Sequence, residues 1–201
     1  MSKLFVLFLG ITLLRQIPHM IIHRKISHSK KKFSSDRVGA IIFYAVYFVI
    51  WGGSLYYVWC NGIHPFFWSG ILVLCCSIMF RTWALVNLNN SYSARIVIYD
   101  SHRFVSTGAY SLVRHPLHLA LLSELGAMVA ISGQYVLGGL IWSCFLLIVL
   151  FRNSQEDRVL AKFFGQRALN YQKEVPSMNI IYGTYKHLLQ KKGKIIEAIG
   201  S

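Results

Sequence analysis

Residues 116–151 read P-L-H-L-A-L-L-S-E-L-G-A-M-V-A-I-S-G-Q-Y-V-L-G-G-L-I-W-S-C-F-L-L-I-V-L-F. Two apolar runs stand back to back, joined only by S-G-Q. A helix that crosses a bilayer needs roughly 20 predominantly apolar residues. The pair therefore predicts a tight transmembrane hairpin, from Pro116 to near Ser132 and from Tyr135 to near Phe151, with Gly133 in the turn. Working outward, two more runs meet the same test, Val38–Trp59 and Phe66–Leu88. A further run, Leu4–Ile22, is broken by Arg15, Pro18 and His19. It predicts a retained span rather than a cleaved leader, because no small-residue cleavage site follows and positive charge comes after it. Arg15 and His19 share one helix face by their spacing. A pair turned into the bundle and an Arg15 that snorkels to the interface both fit.

Composition points the same way. Of 201 residues, 55% are hydrophobic and only 14% charged, whereas a soluble domain carries roughly a quarter charged residues. The mean hydropathy is +0.48. The fold class expected is thus all-α: an integral membrane protein with about five transmembrane helices, plus a C-terminal amphipathic helix on the cytoplasmic side. One domain spans 1–201.

The formal net charge of +14, from 21 Lys and Arg against 7 Asp and Glu, would suggest a nucleic-acid partner in a soluble chain. Here the basic residues flank the apolar runs, as the positive-inside bias requires, and no nucleic acid is expected. Arg24, Lys25, Lys30, Lys31, Lys32 and Arg37 fill the first loop; Arg95, Arg103 and Arg114 fill the third. The segment from Asn61 to Pro65 and the turn at Gly133 carry no charge. This alternation predicts an N-terminus outside and a cytoplasmic C-terminus, in the endoplasmic reticulum or a bacterial inner membrane. Lys30–Lys32 and the Lys-rich tail could also meet anionic lipid. The cysteines, Cys60, Cys75, Cys76 and Cys144, have no metal-ligand spacing, so neither disulfides nor a metal are expected.

Two polar clusters fall on the predicted cytoplasmic side. The first is G-A-Y-S-L-V-R-H-P-L-H at 108–118. Pro116 suits the first turn of a helix. Arg114 and His115 then sit at a helix N-terminus, where free N–H groups favour an anion. From spacing alone, an ordinary Arg-His pair at a membrane interface, with Pro116 marking the helix start, is the better fit. The second cluster, R-N-S-Q-E-D-R-V-L-A-K-F-F-G-Q-R-A-L-N-Y at 152–171, continues the hairpin's second helix through Phe164, with Leu160, Phe163 and Phe164 as its buried stripe. Glu156 shares that face and needs a cation, a ribose hydroxyl or Arg114 as partner. Asp157 and Arg158 also read as a solvated surface. Glu124, within the hairpin's first helix, is costly at that depth unless paired, and reads as a residue of a polar cavity.

In this order and across one hairpin, the two clusters resemble the isoprenylcysteine carboxyl methyltransferase family, whose wider group includes phospholipid N-methyltransferases. The resemblance rests on Gly108, Tyr110, Arg114, His115 and Pro116, then Arg152, Glu156, Asp157, Leu160, Phe164, Gly165, Tyr171, Val175 and Pro176. It is supported by R-T-W-A-L at 81–85 and S-A-R-I-V-I at 93–98, and Glu124 matches an acidic position in part of the family. The similarity covers a core of about 80–176. His118 stands where the family usually has Tyr, Asp157 where a second Glu is commoner, Ala168 where a Tyr often precedes Tyr171, and Asn179 where a second Pro is common.

The resemblance implies an enzyme, a transferase that moves a methyl group from S-adenosyl-L-methionine to a lipid-like or isoprenylcysteine carboxyl acceptor. It assigns Arg114 and Glu156 as the residues without which activity fails. Tyr110, His115, Pro116, His118, Glu124, Arg152 and Asp157 become the cofactor-binding set. Other readings are an NADPH-dependent membrane reductase of the sterol type, whose members are much longer, and a non-catalytic membrane module of the same fold.

Overall fold

The computed structural model describes residues 6, 10, 31–35, 37–62, 64–88, 96–99 and 104–189. The expected span Leu4–Ile22, with Arg15 and His19, lies outside the described residues apart from two isolated positions. The helices are α1 (Arg37–Asn61), α2 (Phe67–Leu88), the single turn α3 (Ala109–Leu112), α4 (Pro116–Ser132), α5 (Tyr135–Phe164) and α6 (Gln166–Glu174). A further helix occupies 180–189.

Three of these are long and apolar enough to cross a bilayer: α1 from Phe43, α2 and α5. The remaining member of the bundle, α4, is a shorter apolar helix of 17 residues. At 1.5 Å per residue it sits at the lower edge of the spanning range. Large apolar side chains cover the outer faces of the long helices, among them Val49, Leu72, Met79, Val136, Leu147 and Phe151. Such a surface is stable only against lipid, and the chain is an integral membrane protein.

At the centre stands α4, packed most extensively on α2 and also touching α1 and α5. It buries side chains all round, including Leu121, Leu122, Leu125, Met128 and Ile131. A helix buried on every side needs no amphipathic stripe. The contact with α2 is close because Gly70 has no side chain: a Cβ there would come within 2.5 Å of Ile131 Cγ1 and 3.0 Å of the Ala127 carbonyl oxygen. The hairpin turn is as short as the sequence implied. Gly133 caps α4 with φ +74°, the left-handed conformation that glycine adopts without cost.

Around this turn Trp59, Phe66, Trp68 and Tyr135 are all exposed, and the Tyr135 hydroxyl lies 2.9 Å from His64 Nδ1. Aromatic residues gathered at one end of an apolar bundle mark a membrane–water interface. The polar clusters lie at the opposite end, where α4 begins and α5 ends.

One result agrees with the sequence reading and one departs from it. First, α5 runs unbroken for 30 residues, so the membrane helix and its amphipathic continuation are one rigid element through Phe164. Gly165, at φ 57°, then turns the chain into α6. Second, the fold is not purely helical. Strands β1 (Lys31–Ser35) and β2 (Ile96–Tyr99) pair antiparallel. They lead into α1 and follow α2, two helix ends on the same side of the bundle. The I-V-I-Y segment is β-branched and aromatic, as strands prefer.

Candidate active site

The backbone before α4 is held from the C-terminal side. The Arg114 N–H donates to the Pro176 carbonyl at 2.9 Å, and the His115 N–H to the Ser177 carbonyl at 3.1 Å. Nearby, the Tyr171 hydroxyl donates to the Tyr110 carbonyl at 2.6 Å. Gln172 Nε2 reaches the Asp157 carbonyl oxygen at 2.8 Å. Segments far apart in sequence thus fix the entry to α4, and Pro116 at its first position needs no N–H partner.

On this frame two short stretches meet side chain to side chain. Arg114 Nη1 lies 2.6 Å from Asp157 Oδ2. His115 bridges both carboxylates, with Nδ1 3.3 Å from Glu156 Oε2 and Nε2 3.1 Å from Asp157 Oδ1. Arg152 Nε lies 3.9 Å from Glu156 Oε1, one turn back on α5, and its guanidinium sits over the Phe43 ring. His118 places Nδ1 2.5 Å from Asn153 Oδ1, and its ring stacks on that of His115.

Burial alone would make His115 harder to protonate. Hydrogen bonds to Asp157 and Glu156, and the charge of both carboxylates, outweigh that and raise its pKa to about 8. The Tyr171 phenol is pushed up, chiefly by burial, and stays a neutral donor to the Tyr110 carbonyl.

The structure brings together Arg114, His115, His118, Arg152, Glu156 and Asp157. Tyr110, nearly buried, supports them from α3. Asp157 is not the solvated residue the sequence also allowed, since its side chain is only 18% exposed. Arg158 is exposed. The stripe of Leu160, Phe163 and Phe164 is half-buried. Glu124 makes its contacts elsewhere. It is fully buried within the bundle, accepts a hydrogen bond from the Tyr47 hydroxyl and lies 3.5 Å from Arg81 Nη1. That pairing is what a carboxylate at such depth requires.

Asn153, Tyr47, Arg81 and the Tyr171–Tyr110 bond were not legible beforehand, because each depends on a contact between helices distant in sequence. The sequence reading also sought metal ligands only among cysteines. The structure instead gathers His115, His118 and Glu156, with one ligand atom of each within 4.8 Å of the others.

Next to the cluster a cavity of about 410 Å³ opens between α2, α4 and α5. Leu119 and Met178 stand at the site end, and Val73, Leu122, Gly126 and Trp142 line the rest. Leu119 follows His118 directly, and Met178 follows the Ser177 that holds His115. A charged cluster and an apolar groove therefore adjoin.

Residues 70–162 match the model of the isoprenylcysteine carboxyl methyltransferase (ICMT) family. Over these residues, just under half of the chain, the sequence is similar to this family. The match contains α4, α5 up to Lys162 and every side chain of the cluster described above. A curated relative, the Protein-S-isoprenylcysteine O-methyltransferase of Schizosaccharomyces pombe, is 28% identical over 116 residues, which cover 54% of this chain and 47% of the relative. The chain spans about half the length of that relative. A solved structure of the eukaryotic intramembrane Ras methyltransferase, isoprenylcysteine carboxyl methyltransferase without a monobody, superposes with a TM-score of 0.54. It is 18% identical, with 70% of this chain and 50% of that one covered, and the likeness is one of fold.

Proposed function

We propose that this chain is an S-adenosyl-L-methionine-dependent methyltransferase acting at the cytoplasmic membrane face on a lipid-like acceptor, an isoprenylcysteine carboxylate foremost. The observation that carries the reading is the pairing of the Arg114–His115–Glu156–Asp157 cluster with an apolar groove whose lining includes Leu119 and Met178, chain neighbours of the cluster and its frame. The reaction needs both: a polar seat for a zwitterionic donor, and a slot for a hydrocarbon tail.

The residues fit such a donor. Arg114 Nε and Asn153 Nδ2 are buried donors with no hydrogen-bond partner, and buried donors favour an acceptor oxygen. The N–H groups of the first turn of α4 have no partner within the helix and add to the pull on an anion. Arg114 and His115 suit the donor's carboxylate. Glu156 and Asp157 suit its ammonium and ribose hydroxyls, with Arg152 steadying Glu156. Tyr110 and His118 wall the seat, and Pro116 fixes the start of the helix.

When bound, S-adenosyl-L-methionine supplies a methyl group activated on sulfur. The chain's task is to align the acceptor oxygen with that group and to keep water away, since orientation dominates a displacement of this kind. A carboxylate acceptor needs no general base. An amine acceptor must arrive unprotonated. The groove is within the size range of small-molecule sites, and lies between helices, so an acceptor enters it sideways from the bilayer. The positive-inside bias of the basic loops supports a site on the cytoplasmic side.

The experiment is methyl transfer from labelled donor by purified full-length protein in lipid vesicles, with N-acetyl farnesylcysteine as acceptor. A base-labile methyl ester is expected. Base-stable label on phospholipid would move the acceptor to an amine. Absence of transfer together with no thermal stabilisation by S-adenosylhomocysteine would remove the reading.

A further inference from the structure

His115 and His118 stand either side of Pro116, and Glu156 comes from the facing turn of α5. The distance from His115 Nδ1 to Glu156 Oε2 is 3.3 Å. Two ligand atoms bound to one tetrahedral zinc ion at 2.0–2.1 Å lie about 3.4 Å apart, so this pair already has the separation that one ion would impose. One ligand atom from each of the three residues lies within 4.8 Å of the others, so gathering them round one ion calls for a contraction on the order of 1.4 Å.

The atoms behind the ligands add an independent observation. A metal-bound histidine donates the N–H of its other ring nitrogen to a carboxylate or carbonyl oxygen, which fixes the tautomer and aims the ligand atom. Both histidines have such a partner. His115 Nε2 lies 3.1 Å from Asp157 Oδ1, and Asp157 is itself held by Arg114. His118 Nδ1 lies 2.5 Å from Asn153 Oδ1. With those nitrogens committed, His115 Nδ1 and His118 Nε2 remain to bind. His118 is one of the positions where the chain departs from the resemblance noted in its sequence, so the second imidazole is this chain's own.

We propose that His115, His118 and Glu156 form a binding site for a divalent transition-metal ion of the zinc class. Two imidazoles and one carboxylate are a borderline donor set that suits Zn²⁺ over the all-oxygen sites of Mg²⁺ and Ca²⁺. Asp157 and Asn153 are the positioning residues behind the two rings. Arg114 and Arg152 oppose an added cation, and the carboxylates of Asp157 and Glu156 offset them. The proposal does not depend on the methyl-donor reading, although it uses side chains of the same site.

The test is a Zn²⁺ titration of the detergent-purified full chain, carrying a tag without histidine, against a competing fluorescent chelator. One ion per chain is expected. His118→Gln and Glu156→Gln should each weaken binding by about a hundredfold or more, and Asn153→Ala by about tenfold, the range for groups behind the ligands. His64→Ala, at the opposite end of the bundle, should leave binding unchanged. No binding by the wild type overturns the proposal, as does equal binding by His118→Gln or an equal loss in His64→Ala. Should a ligand variant fail to fold, Co²⁺ in the wild type decides. A visible spectrum of nitrogen and oxygen ligands is expected, and thiolate charge-transfer bands would assign the ion to cysteine and overturn the site. S-adenosylhomocysteine binding in excess chelator reads the donor proposal separately.

Discussion

Arg114 Nη1 and Asp157 Oδ2 meet at 2.6 Å across 43 positions of chain. The two side chains are 15% and 18% exposed, so the pair is largely withdrawn from water, where charge-assisted bonds are strongest. It ties the start of α4 to the far reach of α5, and His115 completes the tie by touching both carboxylates. The polar seat exists only because these two helix regions are held together.

Asp157→Asn should therefore act on donor binding. The change keeps shape but removes a charge that holds both Arg114 and His115. Loss of a hydrogen bond to a charged group costs about 1.5–3 kcal/mol, so S-adenosylhomocysteine affinity should fall about ten- to a hundredfold. Glu156→Gln should do the same. Arg158→Gln, on the exposed side of the same helix, is the control and should bind as wild type. Equal losses in all three variants by calorimetric titration would mean that the helix facing inferred here is wrong.

Tyr171→Phe should loosen the frame rather than the chemistry. The variant removes the hydroxyl that donates to the Tyr110 carbonyl and leaves that buried acceptor without a partner. A cost of about 1–3 kcal/mol corresponds to a fall in melting temperature of roughly 2–12 °C for a chain of this size. Detergent thermal unfolding checks it. An unchanged melting temperature would show that the bond adds nothing to the native state.

The pH dependence of stability follows from His115. Its pKa is about 8 in the folded, ligand-free protein, against about 6.5 in an unfolded chain. A raised histidine pKa means that the folded state holds the proton more tightly. The stabilisation is then fully present below about pH 6.5 and disappears as pH rises through about 8, with an upper limit of about 2 kcal/mol. In excess chelator, the melting temperature should drop between pH 6.5 and 8.5, and His115→Gln should flatten that drop. A wild-type curve that rises over this window contradicts the assignment.

How far the sequence foretold this arrangement depended on the range of the interaction. The hairpin was legible because hydropathy, a Pro at the start of α4 and a Gly at the turn are local signals. The ends of α4 agree with the sequence reading, and α1 and α2 agree within a few residues. The motif order supplied the cluster, since Arg114, His115, Glu156 and Asp157 do converge. Local signals could not place Glu124, whose neighbours Tyr47 and Arg81 lie on two other helices. They also gave no sign that β1 and β2 would pair, because a two-strand ribbon depends on where α1 starts and α2 ends in space. Nor could spacing along the chain join His118 to Asn153 on α5. That contact arises from the packing of α4 on α5, which a one-dimensional pattern does not contain.

The groove gives the most selective test, because filling it leaves the polar seat untouched. Gly126 lines the cavity, and a Cβ there would meet only Trp142 Nε1 at 3.5 Å, an ordinary contact. Gly126→Ala should thus be accommodated, and alanine's better helix propensity, by up to about 1 kcal/mol, favours it. Gly126→Leu places a branched side chain in the space assigned to the acceptor's tail. If the tail lies there, the leucine variant raises KM for a farnesylated acceptor by about tenfold or more, the value of a few buried methylenes, while S-adenosylhomocysteine affinity stays at the wild-type level. Shortening the tail should lessen the difference between variant and wild type, because less of the acceptor then depends on the groove. Initial rates over a series of prenyl lengths, with donor affinity measured on the same samples, separate the outcomes. A leucine variant that loses donor affinity has disturbed α4 itself. One that keeps both donor affinity and acceptor KM shows that the tail lies somewhere other than between α2, α4 and α5.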